Sequence, residues 1–421
     1  MSVPTETLLQ APILAGALVR SGKDADRIDG VRPRLVVEPR TAEEVAALLA
    51  WASRERLTLV LRGGGTKLGW GRVPAPIDLL VSMRGLNRML AHEHADLTAT
   101  VEAGATLEEL NASLGRHRQW LPLDPAGDEA TVGGAIATND TGPLRHRYGT
   151  PRDLLIGVRL ATTDGRLVKA GGNVVKNVAV YDLGKLVSGS FGSLAAIVGA
   201  TFKLLPVPAS SQTLSATFQD RDRAAAAVAR LTESQLEPAA VELQAAHDRG
   251  RGTMAYRLLA RFATSPAAAA AQVEQARALV GGGEAIMGDA EVALWRRYQR
   301  RASASAGTVL RMSWLPAALP QVLALVEEVG RTDGSVELVA RAGVGTGLLR
   351  VDGASDWQAA TVERVRARAE IVTYATIQDA PPEVKTKVDA WGPPGAADTV
   401  ASAIKRALDP AGILNAGRGP V

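Results

Sequence analysis

Three consecutive glycines, Gly63–Gly65, directly follow Leu57–Leu61, a short apolar run that predicts a buried strand. Glycine adopts backbone angles that other residues avoid, and it lets the chain approach a ligand closely. Successive amide N–H groups in such a turn form a concave surface that binds anions, and Arg62 and Lys67 add positive charge on either side. The segment therefore predicts a diphosphate-binding loop, although a tight turn between two strands gives the same short pattern.

Two common phosphate-binding motifs do not fit this loop. A Walker loop requires Ser or Thr after its lysine, whereas Leu68 follows Lys67. A dinucleotide-binding Rossmann fingerprint requires a helix that opens directly after the glycines within a βαβ unit, and the pattern here predicts neither.

A second glycine-rich segment runs from Asp124 to Tyr148 and is predicted to be a long polar loop. Gly133 and Gly134 allow close approach of the backbone. Loops of this length inside a compact domain are uncommon unless they are functional, although a polar surface loop remains the alternative. The segment is rich in small side chains that can hold a polar ligand by hydrogen bonds: Thr131, Thr138, Asn139, Asp140 and Thr141.

A third stretch, residues 171–206, places small residues before an apolar strand that ends near Lys203. By itself this pattern indicates a glycine-rich turn. Its small residues are Ser188, Gly189, Ser190, Gly192 and Ser193.

The flanking patterns predict the elements that position these stretches. Thr41 with Glu44, and Thr106 with Glu109, have the spacing of a capping box, so a helix is predicted to begin at each threonine. Asp164–Gly165 predicts a hairpin between strands Leu154–Thr162 and Leu167–Ala170. A helix is also predicted around Tyr181–Val187.

Beyond Ala209, predicted strands alternate with alanine-rich helices, which indicates an α+β domain with a largely antiparallel sheet. The alanine tract at 267–271 could be a linker, but Gln272, Glu274 and Arg277 continue a helical pattern, so a helix is predicted.

Composition excludes several classes of protein. The 421 residues suggest two or three domains, and a net charge of +4, from 48 basic and 44 acidic residues, does not indicate a nucleic-acid partner. The absence of cysteine excludes disulfides, thiolate catalysis and an iron–sulfur cluster held by this chain. No apolar run reaches the roughly 20 residues of a membrane-spanning helix. Residues 11–19 lack the preceding positive charges of a signal peptide and are predicted to form a buried helix.

In this order and spacing, the three stretches resemble the PCMH-type FAD-binding domain of the vanillyl-alcohol-oxidase and para-cresol-methylhydroxylase superfamily. The resemblance is strong over residues 35–206 and weaker in the tail at 409–418. It implies an α+β protein in which two α+β subdomains bind FAD between them and an α+β cap domain has a largely antiparallel sheet. The implied segments are 1–34 (N-terminal), 35–92 (first subdomain, with the diphosphate loop), 93–208 (second subdomain), 209–397 (cap) and 398–421 (a helix and tail returning to the FAD domain).

The family's cofactor-binding positions carry over residue by residue, and no metal site is among them. Lys176, Asn177, Tyr181 and Asp182 match a further family motif. Members that bind flavin covalently at the glycine loop have histidine at the position of Thr66, so non-covalent FAD is predicted. The implied cofactor-binding residues are Arg62, Gly63, Gly64, Gly65, Thr66, Lys67, Asp124, Pro125, Thr131, Gly133, Gly134, Thr138, Asn139, Thr141, Gly142, Tyr148 and Ile197.

The catalytic residues stay unknown at this point. Catalytic relatives have a histidine-rich element in the cap, whereas the matching residues here, 341–353, contain no histidine. Near the second glycine-rich stretch, His146, Arg147 and Tyr148 are candidates, with His146 for proton transfer. Arg145, Arg147 and Arg341 are candidates for binding a substrate carboxylate.

The resemblance implies an FAD-binding subunit of a glycolate-type 2-hydroxy-acid oxidase complex. Its expected partners are a sister FAD-containing catalytic subunit and an iron–sulfur subunit. It is expected in the cytoplasm, and its partners would associate it with the inner face of the cell membrane. A self-sufficient FAD oxidoreductase acting on a CH–OH donor is one alternative, and a flavin-free structural or interaction subunit is another.

Overall fold

The computed structural model describes residues 4–172, 182–248, 253–302, 307–331 and 334–419. The chain divides into two compact units. The first unit comprises Met1–Thr141, Thr150–Val207 and Pro394–Val421, and the second comprises Gly142–Gly149 and Pro208–Pro393. The finer division into five segments stays a prediction.

One sheet of the first unit contains a parallel core of three strands. Strands β2, β4 and β3 are parallel, and β1 is antiparallel to β2. In the order β1–β2–β4–β3, the strands are β1 (Leu18–Ser21), β2 (Leu35–Glu38), β3 (Leu59–Arg62) and β4 (Leu79–Ser82), with helices α1 (Thr5–Leu9) and α2 (Ala42–Glu55).

The start of α2 agrees only in part with the capping box predicted at Thr41. Thr41 Oγ1 accepts the Glu44 N–H at 3.1 Å, as predicted. The Glu44 carboxylate accepts the Arg40 N–H at 2.7 Å, one residue earlier than a capping box requires.

A second, antiparallel sheet of the first unit has the order β5–β6–β10–β8–β9. The predicted capping box of Thr106 and Glu109 is present at the start of α3. The predicted hairpin between β8 and β9 is also present, with Gly165 at φ +87°. The remaining elements of this unit are β5 (Met89–Glu93), β6 (Thr98–Glu102), β7 (Gln119–Trp120), β8 (Leu155–Ala161), β9 (Leu167–Gly171), β10 (Ala196–Lys203), β11 (Leu205–Pro206), α3 (Leu107–Gly115), α4 (Val132–Thr138), α6 (Pro151–Leu154), α7 (Leu183–Val187) and α14 (Ala396–Leu408).

The prediction of a continuous loop from Asp124 to Tyr148 is wrong, because α4 and the short α5 (Arg145–Tyr148) lie inside it. Thr131 Oγ1 accepts the Gly134 N–H and caps α4, while Val132 and Ile136 are fully buried. Two glycines in the first turn lower helix propensity and conceal this helix from pattern analysis.

The helix predicted over residues 11–19 is also wrong. Pro12–Leu14 form a single 3₁₀ turn, and the chain then enters β1. Leu18–Ser21 pair with β2, so the hydrogen bonds of the sheet replace those of a helix. The helix predicted around Tyr181–Val187 is present as α7, which begins at Leu183. Tyr181 lies outside the described residues.

An eight-stranded sheet dominates the second unit, in the order β15–β12–β14–β13–β17–β18–β16–β19, and every strand pair is antiparallel. This confirms the sheet predicted beyond Ala209. Its strands are β12 (Ser210–Phe218), β13 (Ala240–Asp248), β14 (Thr253–Thr264), β15 (Glu284–Met287), β16 (Thr308–Ser313), β17 (Ser335–Arg341), β18 (Thr346–Asp352) and β19 (Tyr374–Asp379).

Helices pack on both faces of this sheet. One face forms the large apolar core with α8 (Arg221–Thr232), α9 (Pro266–Val280), α11 (Leu319–Gly330), α12 (Ser355–Arg366) and α13 (Pro382–Lys385). On the other face, α10 (Gly288–Ala302) packs Leu294 and Trp295 against Leu259 and Val339. The alanine tract at 267–271 lies inside α9, as predicted. Among the described residues, no helix has both the length and the apolar character needed to cross a bilayer.

Candidate cofactor site

A pocket of about 760 Å³, its open mouth included, lies in the first unit. Residues from all three glycine-rich stretches line it, so the fold brings together segments that are separated in sequence. Ten of the predicted cofactor-binding residues are in the lining: Gly63, Gly64, Gly65, Thr66, Lys67, Thr131, Gly133, Gly134, Thr138 and Ile197.

The other predicted cofactor-binding residues do not line this pocket. Gly142 and Tyr148 belong to the second unit. FAD contact by each predicted residue, inside or outside the lining, stays a prediction. Those of the first unit that lie outside the lining are Arg62, Asp124, Pro125, Asn139 and Thr141.

The first two glycines of the loop allow the first and second stretches to touch. A Cβ on Gly63 would lie 2.0 Å from Thr131 Oγ1, and one on Gly64 would lie 1.7 Å from the Glu129 carbonyl oxygen. Gly65 differs, because its φ of +80° favours glycine and the nearest atom to an added Cβ is 3.8 Å away. The loop is therefore packed against the chain at its start and open at its third glycine.

The backbone N–H groups of this loop fit an anionic ligand. Within the described part of the chain, the N–H groups of Gly64, Gly65 and Thr66 donate no hydrogen bond to a protein acceptor. Backbone N–H groups are strong donors that seldom stay unsatisfied away from water. Consecutive amides around a residue with positive φ form an anion-binding concavity, so the residues present suit the diphosphate of a dinucleotide.

The N-terminus of α4 offers no comparable donors. The Val132 N–H is accepted by the Ala105 oxygen at 2.9 Å, and the Gly133 N–H by the Ala103 oxygen at 2.7 Å. A Cβ on Gly133 would lie 2.8 Å from the Ala103 Cβ. Close packing between chain segments therefore accounts for Gly133.

Both cations predicted to flank the diphosphate have carboxylate partners. Arg62 Nη1 lies 3.0 Å from Asp26 Oδ1, and Lys67 Nζ lies 3.4 Å from Asp140 Oδ2. Asp26 also accepts a hydrogen bond from Arg20. This hydrogen bond is the main reason why the pKa of Asp26 lies well below its usual range. The charge predicted beside the loop is therefore largely neutralised within the protein.

Sequence reasoning missed two pocket residues in the C-terminal tail, Asn415 and Arg418. Arg418 Nη1 donates to Asn415 Oδ1 at 3.0 Å, and its Nη2 donates to the carbonyl oxygens of Leu68 and Trp70 at 2.6 and 2.9 Å. Burial lowers the pKa of Arg418 to about 10, so this guanidinium stays cationic at neutral pH. The resemblance at 409–418 was the available signal for both residues.

The third glycine-rich stretch packs on the end of α4. Phe191 adopts a φ of +56°, which is uncommon for a residue other than glycine, and its N–H donates to the Ala137 oxygen at 2.8 Å. Asn415 Nδ2 donates to the Phe191 oxygen. Phe191 and Gly192 thereby form a wall of the pocket.

The candidate catalytic residues His146, Arg147 and Tyr148 lie in α5, which belongs to the second unit. The His146 ring lies against Gly343, where an added Cβ would be 2.4 Å from its Cε1. Burial, with a smaller effect of Arg147, lowers the pKa of His146, and burial raises that of Tyr148. Arg147 is exposed and pairs with Glu237 at 3.1 Å. A catalytic role for these residues stays a prediction.

Glu242 and Tyr298 form a buried polar pair in the second unit that sequence analysis did not identify. Glu242 is fully buried and accepts the Tyr298 hydroxyl at 2.5 Å. Arg341 is its cross-strand neighbour, is 7% exposed, and donates from Nε to the Gly142 oxygen at 3.1 Å. Burial, together with Glu242, raises the pKa of Tyr298 well above its usual value.

The further motif predicted at residues 176–182 is largely outside the described residues. Lys176, Asn177 and Tyr181 fall there. Asp182 is described and caps α7, where its Oδ1 accepts the Lys185 N–H at 3.0 Å.

Sequence comparison finds a known domain in the N-terminal half of the chain. Residues 33–171 match the family described as the FAD binding domain. The glycolate oxidase subunit GlcD of Bacillus subtilis is 32% identical over 229 residues, which is 54% of this chain and 48% of that protein. A D-lactate dehydrogenase of Archaeoglobus fulgidus is 35% identical over 208 residues, 49% of this chain and 46% of that protein. A D-2-hydroxyglutarate dehydrogenase of Xanthomonas citri is 34% identical over 194 residues, 46% of this chain and 41% of that protein.

The chain therefore spans about half the length of the curated relatives it matches. Similarity to solved structures extends over nearly the whole chain. An alkyldihydroxyacetonephosphate synthase gives a TM-score of 0.72 at 15% identity, covering 98% of this chain and 84% of that one. The wild-type BBE-like 1 protein of Physcomitrella patens gives 0.69 at 16% identity and covers 99% of both chains.

These likenesses confirm the predicted fold class, and the family match confirms the predicted cofactor. Together with the pocket that residues 63–67 line, they disfavour the flavin-free alternative. Residues 33–171 of the chain therefore belong to an FAD binding domain, and the cofactor is FAD.

Proposed function

We propose that this protein is the FAD-binding subunit of a glycolate-type 2-hydroxy-acid oxidase complex and that it holds FAD without a covalent bond. The observation that supports the binding role best is the set of backbone N–H groups at Gly64–Thr66, which face no protein acceptor in the described part of the chain. The substrate class follows from the names of three relatives: a glycolate oxidase subunit, a D-lactate dehydrogenase and a D-2-hydroxyglutarate dehydrogenase.

Bound FAD supplies the electron chemistry, and the protein supplies binding, orientation and exclusion of water. Backbone donors of the glycine loop hold the diphosphate. Leu61, Met83, Ala195 and Ile197 give the pocket apolar walls that keep water from the cofactor. The Arg418 guanidinium adds positive charge in the same pocket.

Thr66 supports non-covalent attachment. Its hydroxyl is a weak nucleophile, and its Oγ1 already accepts a hydrogen bond from Lys67 Nζ at 3.1 Å. Denaturing the purified protein and filtering it should release all of the yellow colour into the filtrate. Colour retained on the polypeptide would contradict non-covalent binding.

Substrate oxidation is assigned to a sister FAD-containing subunit, since residues 341–353 contain no histidine. Electrons would then leave through an iron–sulfur subunit, because this chain has no cysteine to hold a cluster. A cytoplasmic complex, attached to the inner face of the membrane through these partners, is part of the same proposal.

Anaerobic mixing with glycolate or D-lactate tests this division of labour. The FAD of the isolated protein should stay oxidised over many minutes, whereas the complex co-purified from its native host should bleach rapidly. Rapid bleaching of the isolated protein would favour the self-sufficient oxidoreductase and its second-unit candidates, His146 and Arg341.

A further inference from the structure

Lys67 lies in the wall of the FAD pocket, directly after the glycine loop, and is only 9% exposed. A lysine ammonium has three N–H donors and no acceptor. Three protein oxygens surround Lys67 Nζ: Thr66 Oγ1 at 3.1 Å, the Ala126 carbonyl at 3.0 Å and Asp140 Oδ2 at 3.4 Å. The ammonium therefore donates to Thr66 and Ala126 and is paired with the Asp140 carboxylate, all inside the first unit.

Asp140 is held in place by the backbone as well as by this ion pair. It is 6% exposed, and its Oδ2 also accepts the Ala126 N–H at 3.2 Å. Asp140 follows Asn139, the C-cap residue of α4, and its N–H donates to the Ala135 oxygen at 3.2 Å. The position of the carboxylate is thus fixed by α4 and by the chain at Ala126.

We propose that Asp140 tunes the affinity for FAD by withholding the charge of Lys67 from the diphosphate. The backbone N–H groups of the loop then bind the diphosphate, and Lys67 contributes little. Without the negative charge of Asp140, the buried Lys67 ammonium has no carboxylate counter-ion, and the anionic diphosphate becomes its nearest compensating group. This inference concerns FAD binding alone and does not depend on the proposed substrate.

The change Asp140→Asn separates charge from shape, because the amide oxygen still accepts the Ala126 N–H. We expect FAD to bind about tenfold more tightly at low ionic strength, because the diphosphate then serves as the counter-ion of Lys67. The gain should shrink in high salt, since the pocket is open to solvent at its mouth. Riboflavin, which has no diphosphate, should bind the variant and the parent equally.

Apoprotein titrations with FAD and riboflavin, followed by flavin fluorescence, test the proposal. In the double variant Asp140→Asn with Lys67→Met, the gain in FAD affinity should vanish, because it requires the ammonium. Glu102→Gln is the matched control. It removes the charge of another buried carboxylate of the same unit, and its partner Arg88 neither lines the pocket nor is a predicted FAD contact, so FAD affinity should stay unchanged.

An Asp140→Asn protein that is folded, by circular dichroism, and binds FAD no more tightly than the parent would overturn the proposal. If this variant does not fold, Lys67→Met in the parent decides. Retention of FAD affinity within about tenfold supports the proposal, since Lys67 then gives the diphosphate no strong charge-assisted bond, and a larger loss overturns it.

Discussion

The candidate FAD pocket of the first unit and the buried Glu242–Tyr298 pair of the second unit are built in different ways. Main-chain amides and small residues shape the pocket. The cations beside the glycine loop, Arg62 and Lys67, are paired with Asp26 and Asp140. The second unit instead buries side-chain groups, with Glu242 fully buried against the Tyr298 hydroxyl.

This difference indicates which changes each region tolerates. In the pocket, an added methyl group that collides with the main chain should do more harm than loss of a polar side chain. At the Glu242–Tyr298 pair, loss of the hydroxyl leaves a buried carboxylate with one fewer donor, and an unsatisfied buried carboxylate destabilises the fold. Steric changes should therefore act on FAD affinity, and polar changes on the stability of the second unit.

Of the changes that test this difference, Gly64→Ala should have the largest effect, and it should act on FAD affinity. The new Cβ would lie 1.7 Å from the Glu129 carbonyl oxygen, so the loop must move away from the segment that precedes α4. We expect FAD affinity to fall by at least about a hundredfold, since the loss of two or more charge-assisted hydrogen bonds is involved. Titration of the apoprotein with FAD measures the loss.

Gly115→Ala is the control for that change. Gly115 lies in α3, and an added Cβ there meets no atom within 4 Å. Alanine at this position should keep FAD affinity and change the stability by no more than about 0.5 kcal/mol, because Gly115 is the exposed last residue of α3. Equal FAD affinity in the two variants would show that the loop is not the binding element.

Tyr298→Phe should destabilise the second unit by about 2 kcal/mol, because the Glu242 carboxylate loses a buried donor. Urea unfolding followed by tryptophan fluorescence measures the change, and FAD affinity should be unaffected. Tyr256→Phe is a matched control, since its partner Glu327 is more exposed and keeps Arg221 at 3.0 Å. A loss for Tyr256→Phe as large as that for Tyr298→Phe would argue against the role of burial.

Asp26 should make the first unit sensitive to acid. Its folded-state pKa is depressed, chiefly by the Arg20 hydrogen bond, so its stabilising effect is complete above the unfolded pKa of about 3.9 and is lost as pH falls through the depressed value. Melting temperatures of the parent and Asp26→Asn should differ near neutral pH and converge in acid.

Asp164 provides the comparison for that pH effect. Its pKa is lowered to about 2, first by Arg166, but the ion pair is exposed on a hairpin. Asp164→Asn should change the melting temperature much less than Asp26→Asn, because solvent screens an exposed pair. Parallel melting profiles for the parent and Asp26→Asn at every pH would refute the assignment to Asp26.

Arg147→Met should have the smallest effect. Its ion pair with Glu237 is exposed, and such pairs contribute about 0.2–1 kcal/mol. Chemical denaturation should place the change at the lower end of this range. A loss of 2 kcal/mol or more would mean that Arg147 has a structural role that its exposure does not indicate.

Local patterns were sufficient to predict the glycine loop, the hairpin at Gly165 and the antiparallel sheet of the second unit. Each depends on residues close in sequence, such as a glycine at positive φ or alternation along a strand. The same reasoning missed α4, because Gly133 and Gly134 lower the helix propensity of its first turn.

Contacts between distant residues could not be predicted in this way. Arg418 reaches Leu68 and Trp70 across almost the whole sequence, and Asp140 meets Lys67 only because α4 ends beside the loop. A carboxylate gives no local signal of the cation it will meet. The sequence could therefore indicate which cations lie beside the loop, but not that carboxylates pair with them.

Amide NMR of the glycine loop tests the central claim most directly. Apoprotein labelled with ¹⁵N and titrated with FAD should show large shifts and slowed hydrogen exchange at the N–H groups of Gly64, Gly65 and Thr66, because the diphosphate becomes their acceptor. Unchanged resonances at all three residues, in a sample that has bound FAD, would contradict the account.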